Sequence, residues 1–448
     1  MISERLFSKL VRAFVRRGSL TVTQETGRRI TAGDGTGPAV EVRLLGRGAS
    51  RLLALDPELH LGELYADGRL ILERGTLTEL FQLLLRDSRG DRRLLRHPLR
   101  RALRGAAQAL APAIGATRAR RNVRHHYDLS SAFYDLFLDR ERQYSCAYFE
   151  HPGQSLDEAQ RAKQRHIAAK LLIGPGDHVL DIGSGWGGLG FYLAEIAGAA
   201  SVTGITLSTE QLDHARREAE RRGLAGRVSF EMQDYRAARG RYDRIVSVGM
   251  FEHVGSKSYD AYFAALSRLL APGGVALLHT IGLTCAPGYT NPWIRRHIFP
   301  GGHLPSLSEI MPAVERSGLG VTDVEILRLH YADTLAHWGR RFAERREEAA
   351  RLYDERLCRI WEFYLAGAEA CFRWEDLAVF QIQLSRDKDA VPLRRGYIEE
   401  RERELARRER ALATVPGWPA PQRKPRRAAV PARSASGGRA SPSSRDAV

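Results

Sequence analysis

Residues 179–188 read VLDIGSGWGG. An apolar run ends in an acid, Asp181, and Gly183, Gly185, Gly187 and Gly188 follow at once. Glycine lets a backbone turn tightly and approach a ligand, and a strand that stops in such a loop before a helix presents N–H groups to that ligand. Outward from the loop, residues 176–282 alternate apolar runs with helical patterns. HVLDI, SVTGITL, RVSFEMQ, YDRIVSVG and GVALLHTIG read as strands, and TEQLDHARREAERRG and YDAYFAALSRLLAPGG as helices between them. This alternation predicts an α/β fold, a Rossmann-like parallel sheet with helices on both faces. Ligands of such sheets sit at the carboxyl ends of the strands.

The rest of the chain bounds that reading. Its 448 residues carry a formal net charge of +16, most of it from arginine, so an anionic surface is the expected neighbour, either nucleic acid or the acidic face of a bilayer. No apolar run approaches the ~20 residues that span a membrane. The opening MISERLFSKLVRAFVRRGSL places Ile2, Leu6, Leu10 and Phe14 along one side of a helix, with Lys9, Arg12, Arg16 and Arg17 largely around the other. Such a helix docks on its own domain or lies on a bilayer surface. The four cysteines, Cys146, Cys285, Cys358 and Cys371, form no CxxC pair. They suit a reducing cytoplasm, and no metal site is expected.

Three regions differ in composition. Residues 1–105 mix strand-like runs (SLTVT, AVEVRLL, RLLAL) with the helical TLTELFQLLLRD and read as a small α+β domain; an arginine-rich stretch, about 86–121, then leads onward. Residues 106–386 hold the sheet and a mainly helical segment, 331–385, expected to form a lid. Residues 387–448 begin as a charged helix and end in a basic Pro/Ala/Arg/Ser tail whose composition predicts disorder.

A dinucleotide site would want an acid at the end of the second strand. Thr206 and Ser208 of ITLSTEQ stand there instead. Asp181 before the glycines, a polar end to the second strand, and MQDYR after the third together fit S-adenosylmethionine better than NAD. Asp181 would fix the loop, Gln211 would border the ribose, and Asp234 would accept from the adenine amino group. Plainer roles compete, since Ser208 and Gln211 also suit a helix cap and Asp234 also suits a strand end. Their order along the chain favours a class I methyltransferase.

Longer motifs then carry a family resemblance. RHHYDLSSAFYDLFLD (124–139), QYSCAYFE (143–150), VSVGMFEHVG (246–255), LLHTIG (277–282), FPGGHLPS (299–306) and HYADTLAHW (330–338) join the cofactor motifs in order and spacing. Together they resemble the cyclopropane-fatty-acyl-phospholipid synthases and related mycolic-acid cyclopropane synthases, over about residues 124–386. LGELYADGRL (61–70) extends a weaker likeness into the N-terminal unit, which is then expected to be lipid-associated. The resemblance implies transfer of a methylene group from S-adenosylmethionine to the cis double bond of an unsaturated phospholipid acyl chain. It further implies a cytoplasmic protein peripherally bound to the inner face of the membrane at its anionic surface, with no nucleic acid partner, and many members are homodimers. It adds Tyr144, Ser145, Ser184, Leu207, Gln233 and Tyr235 to the cofactor set of Asp181, Gly183, Gly185, Gly187, Thr206, Gln211 and Asp234.

An alkene is a poor nucleophile, so the donor methyl must be held against its π face. Transfer leaves a carbocation, which calls for a dry site lined by aromatic faces. Tyr148, Phe149, Phe251, Tyr331, Trp338, Phe342 and Tyr364 are the candidates. Ring closure needs a base for the added methyl group, and the resemblance implies a bound bicarbonate. Its holders would be the Cys146 backbone, Glu252, His279, the Ile281 main chain and Tyr331. Bicarbonate keeps a proton that it can donate to a carboxylate. His253, next to Glu252 in the chain, should point elsewhere, supporting the loop or bordering the cofactor.

Two positions depart from the family pattern. Ser184 stands where the glycine loop commonly has cysteine, and Ala368 in FYLAGAEACFRW stands where the family often has one, with Cys371 three residues on. The alkene itself attacks, so no enzyme nucleophile is required. Competing readings are a methyl- or methylene-branching enzyme on the same alkene, a small-molecule methyltransferase, and a non-catalytic lipid- or nucleic-acid-binding module.

Overall fold

The computed structural model describes residues 2–86, 105 and 129–412, with the backbone alone for 2–5. Nearly all of the arginine-rich stretch, the first part of RHHYDLSSAFYDLFLD, the tail from 413 and the side chain of Ile2 lie outside the described residues.

Four strands form the N-terminal sheet: β1 (Ser19–Thr23), β2 (Arg29–Ala32), β3 (Ala39–Leu44) and β4 (Leu70–Arg74), in the order β2-β1-β3-β4. Period-2 alternation in β1 and β3 buries Leu20, Val22, Val40, Val42 and Leu44 on one face. Helix α1 (Ile2–Phe14) covers that face through Phe7 and Val11, whereas Leu6 is 48% exposed. The helix is thus rotated from the stripe read in the sequence, because Phe7 and Val11 lie one position on from Leu6 and Leu10. RLLAL is not a strand. It lies in the helix Ala49–Leu55, as its leucines and alanine prefer.

Helix α2 (Pro57–Ala66) and helix α3 (Leu77–Leu85) join this unit to the larger one. The approach is close: a Cβ at Gly62 would stand 2.4 Å from Trp293 Nε1, so only glycine fits there. Polar contacts flank it. The Tyr65 hydroxyl donates to Glu362 at 3.0 Å, and Arg296 and Arg356 reach Glu63 at 2.9 and 3.4 Å.

The larger sheet holds β5 (His178–Ile182), β6 (Ser201–Thr206), β7 (Val228–Met232), β8 (Tyr242–Val248), β9 (Leu270–Leu283), β10 (Gly320–Leu327) and β11 (Leu377–Ser385). Their order is β10-β11-β9-β8-β5-β6-β7. The five strands expected from the sequence are present and parallel. β10 and β11 were not expected, and the helical reading of 331–385 is corrected at Leu377–Ser385. β11 runs antiparallel between β9 and β10. It is buried on both faces from Ala378 to Ser385, which erases the period-2 signal that marks a half-buried strand.

Helix α4 (Leu156–Leu171) packs on the sheet, α5 (Gly188–Glu195) and α6 (Thr209–Arg221) follow β5 and β6, and α7 (Pro292–His297) meets α2. Helices α8 (His330–Glu344) and α9 (Glu355–Trp374) pack on each other. The charged helix expected after 387 is α10 (Tyr397–Leu412), which docks on α4 through Ile398, Leu405 and a Glu409 carboxylate shared by Arg165 and Tyr192.

Candidate active site

The parallel strands β5 to β9 end on one edge of the sheet, and there a cleft opens. All the cofactor-facing residues named from the sequence line it except Gly187. Gly187 sits behind the loop at φ 89°, where a Cβ would stand 2.7 Å from the Phe230 ring. Its role is close packing. Asp181 is buried, and desolvation pushes its carboxyl up to about 7. Its Oδ2 and the Ser184 hydroxyl have no hydrogen-bond partner among the described residues. Buried polar atoms left in this state fit a ligand that brings its own donors and acceptors.

The plain readings hold for Ser208 and Gln211, which line or adjoin the cleft. Ser208 caps α6 by accepting from the Gln211 N–H at 3.4 Å, while the Gln211 side chain accepts from the Thr206 hydroxyl at 3.1 Å. Asp234 accepts from two side-chain nitrogens of Arg236 at 2.8 and 2.7 Å. The Arg236 backbone N–H also donates to it at 3.0 Å, and Asp234 lines the cleft.

The QYSC loop over this cleft is held by residues the sequence reading did not single out. Gln160 and Lys163, one turn apart on α4, are both fully buried. Gln160 donates to the carbonyls of Gln143 and Ser145 at 3.2 and 2.9 Å, and Lys163 to Gln143 Oε1 and Ser145 Oγ at 2.5 and 3.0 Å. On the far side the Ala147 N–H donates to Thr334 of α8 at 3.0 Å. Burial pushes the Lys163 ammonium down to about 8, against the pull of Asp139. The only signal available was a polar stripe at helical spacing, Gln160, Lys163 and Lys170, which by itself reads as a solvated face. Lys163→Met is expected to weaken cofactor binding about tenfold, by loss of a charged hydrogen bond to Ser145, with kcat little changed; calorimetric titration with S-adenosylhomocysteine reads this, and unaltered affinity would sink the role.

Beside the cleft, and sharing Tyr144, Ser145, Gly249 and His253 with it, lies a cavity of ≈ 680 Å³. Cys146, Glu252, His279, Ile281 and Tyr331, which lie far apart in the chain, all line it. Glu252 follows β8 in a short 3-10 turn, and His279 stands opposite the last residue of β8 on β9. Burial pushes the Glu252 carboxyl up to about 7. Its Oε1 accepts from the Ile281 N–H at 2.7 Å, and its Oε2 has no partner among the described residues. The Ile281 N–H is therefore occupied by Glu252 itself.

Burial and the cations Lys163, Lys170 and His166 hold His279 well below the ordinary imidazole range, so it is neutral. Gln381 of β11 meets its Nδ1 at 3.2 Å. With the amide nitrogen donating, the ring proton sits on Nε2. Sequence reading missed Gln381 together with its strand. His253 lines the cavity together with Glu252 and lines the cleft as well, and burial pushes its imidazole down to about 4.

Of the seven aromatic candidates only Tyr331 and Tyr364 line the cavity. Trp338 stacks behind Tyr144 at 5.2 Å, Tyr148 lies between the rings of His166 and His330, Phe149 stacks on His337, Phe251 stacks on Tyr259, and Phe342 packs in the core. Trp293, Phe299, Phe363 and Phe372 line it instead. Periodicity marks buried aromatic rings without saying which of them border a void.

Cys146 and Cys371 also line the cavity, and burial pushes both thiols far above their ordinary range. Neither is a thiolate, the form that acts as a nucleophile. Cys146→Ser and Cys371→Ser are each expected to keep methyl-transfer turnover within about threefold; a hundredfold loss in either would identify a sulfur-dependent step.

A glycine loop after β5, a cleft along the carboxyl edge and an antiparallel strand inserted near one end of the sheet define an S-adenosylmethionine-dependent methyltransferase of class I. The chain belongs to the mycolic acid cyclopropane synthetase family, whose model matches residues 115–382. It is 39% identical over 353 residues to the cyclopropane-fatty-acyl-phospholipid synthase of Escherichia coli, covering 79% of this chain and 89% of that one. It is 43% identical over 257 residues to a probable fatty acid methyltransferase of Pseudomonas putida, covering 56% of this chain and 65% of that protein. Among solved structures it is similar to the mycolic acid cyclopropane synthase CmaA1 complexed with SAH and CTAB, with a TM-score of 0.56 and 35% identity over 59% of this chain and 97% of that one.

Proposed function

We propose that this methyltransferase adds a methylene group to the cis double bond of an unsaturated phospholipid acyl chain and leaves a cyclopropane ring. The observation that carries this reading is the meeting of the two volumes at Tyr144 and Ser145. There a cleft with the residues for S-adenosylmethionine adjoins a mainly apolar cavity in which Glu252, His279 and Tyr331 gather. The E. coli relative, of which the chain covers 89%, supports a phospholipid substrate.

In this reading Ser145, Asp181, Ser184 and Gln211 hold the methyl donor, and the apolar walls keep water from the cation formed on transfer. Tyr331 and Tyr364 present ring faces to it. A bicarbonate ion, when bound, supplies the base that takes a proton from the added methyl group. Glu252 Oε2, left without a partner, suits the proton of such an ion, and His279 and Tyr331 line the same space. Oxygen acceptor and ring donor thus fit the group.

The formal charge of +16 supports association with an anionic bilayer surface, while the apolar face of α1 is taken up by the sheet of its own unit. Among the described residues no helix is long and apolar enough to cross a membrane. Affinity for phosphatidylglycerol vesicles is expected to fall about tenfold from low to high salt; sedimentation that ignores salt would remove the electrostatic part.

A second product class, a methyl or methylene branch on the same alkene, is favoured by the similarity to the P. putida fatty acid methyltransferase. Expression in a host lacking cyclopropane lipids, followed by fragmentation mass spectrometry of its fatty acids, separates the two. A ring at the former double bond is the expected result, and unchanged fatty acids would sink the proposed activity.

A further inference from the structure

The cavity does not end at the catalytic residues. It continues past Trp293 and Phe363 into the interior of the N-terminal unit, where Leu20 and Val22 of β1, Val42 and Leu44 of β3, and Phe7 and Val11 of α1 form its walls. These are the inward-facing residues of that unit, each less than 9% exposed. They would ordinarily fill a core. Protein interiors are packed as tightly as organic crystals, with few voids larger than a water molecule. A continuous apolar volume of ≈ 680 Å³ running between two sheets therefore reads as a binding volume.

The polar groups along it are placed unevenly. Glu252, His279 and Tyr331 stand at the reacting end, Glu58 with Tyr289 stands where the two units meet, the hydroxyl donating to the carboxylate at 2.7 Å, and Asn291, Glu375 and Asp376 of the larger unit line the volume too. Beyond that junction the walls named above are hydrocarbon only. Such a compartment accepts an unfunctionalised hydrocarbon segment and penalises an ester or phosphate, which would lose its hydrogen bonds to water. An alkene within an acyl chain has hydrocarbon on both sides, and only the methyl-terminal side carries no polar group.

We infer that the interior of the N-terminal sheet receives the methyl-terminal segment of the reacting acyl chain, so that its depth selects how far the double bond lies from the chain end. This rests on the proposed acyl-chain substrate. Continuity with the catalytic cavity favours the reacting chain over the second chain of the same lipid, because the walls of the compartment and Glu252 line one and the same volume.

The test uses the wild-type chain and two phosphatidylglycerols, each with one oleoyl-type chain and one saturated chain. In one lipid a diazirine sits at the terminal carbon of the unsaturated chain; in the other it sits at the terminal carbon of the saturated chain. Irradiation and peptide mass spectrometry are expected to place the first probe on peptides containing Phe7–Phe14, Leu20–Val22 or Val42–Leu44, and the second elsewhere. Adducts of the first probe confined to the larger unit, or labelling of these peptides by the second probe alone, would overturn the inference. The same lipids kept dark are assayed for methylene addition. Product without the predicted adducts leaves the activity standing and removes the compartment; no product removes the reading on which the compartment rests. In a second arm, Val42→Trp is expected to lower the ratio of oleoyl to cis-vaccenoyl turnover about tenfold, since these chains are equally long but oleoyl carries the longer segment beyond its double bond. An unchanged ratio, with turnover of either chain retained, would count against depth selection; a variant that fails to fold leaves the decision to the wild-type labelling.

Discussion

Glu252→Gln is expected to reduce methyl-transfer turnover about 10³-fold, within the range supplied by a positioned acid or base, while making the protein more stable at pH 8. The amide keeps an oxygen to accept the Ile281 N–H, whose bond to Glu252 is 2.7 Å long. It removes the charged oxygen that would receive a proton from a bound bicarbonate. Stability moves the other way because burial raises this carboxyl from 4.5 to about 7. The folded state therefore binds the proton more tightly than the unfolded state. Stability from this group is full below about 4.5, falls as pH rises to about 7, and above that the native state bears roughly 3 kcal/mol of buried-charge cost. The variant carries no such cost. Melting curves at pH 5 and pH 8 should show its advantage only at the higher pH. Turnover equal to wild type would refute the catalytic placement, and a lower melting temperature at pH 8 would refute the buried-charge argument.

Gly183→Val is expected to weaken binding of S-adenosylhomocysteine about 100-fold. Gly183 has φ +83°, a region where an L-residue costs about 1–2 kcal/mol and a β-branched one is a true outlier. A Cβ there would stand 2.9 Å from the Met250 Cβ, and Met250 itself lines the cofactor cleft. The added side chain thus pushes the opposite wall into the ligand's space and disturbs the loop whose Gly183 and Ser184 N–H groups both donate to the Ile205 carbonyl. Gly185→Ala is the control. Its φ is +55°, and no atom lies within 4 Å of the new Cβ, so a smaller loss follows from conformational strain alone. Titration calorimetry on both variants, with circular dichroism for the fold, checks the pair; equal affinities would mean that the approach of Met250 is not what requires glycine.

Much of the catalytic sheet was legible because its signals are local. Each of β5 to β9 is an apolar run bounded by turn residues, and VLDIGSGWGG joins strand, tight turn and helix within ten consecutive positions. Glu252 and His279 were readable as neighbours because β8 and β9 follow one another in the chain and pair in parallel. Other features left no local mark. RLLAL has the apolar content of a short strand, and only its leucine and alanine composition favours the helix it forms. β11 looks like one more apolar stretch after two long helices. The aromatic lining was misjudged for a related reason: a ring at helical spacing is buried whether it faces a void, as Tyr331 does, or a neighbouring ring, as Phe342 does.

By itself the sequence determined the fold class and the cofactor loop, since each depends on residues close in the chain, while the groups named beside the loop came from the family resemblance. The tertiary structure alone decided what surrounds them. Gln381 reaches His279 across a separation of 102 residues, Lys163 lies beneath Ser145 from another element, and the interior of the N-terminal sheet opens into the cavity that holds Glu252. Each of these is a contact between distant segments, and packing in three dimensions, with the burial and altered protonation that it brings, has no period or motif from which it could be read.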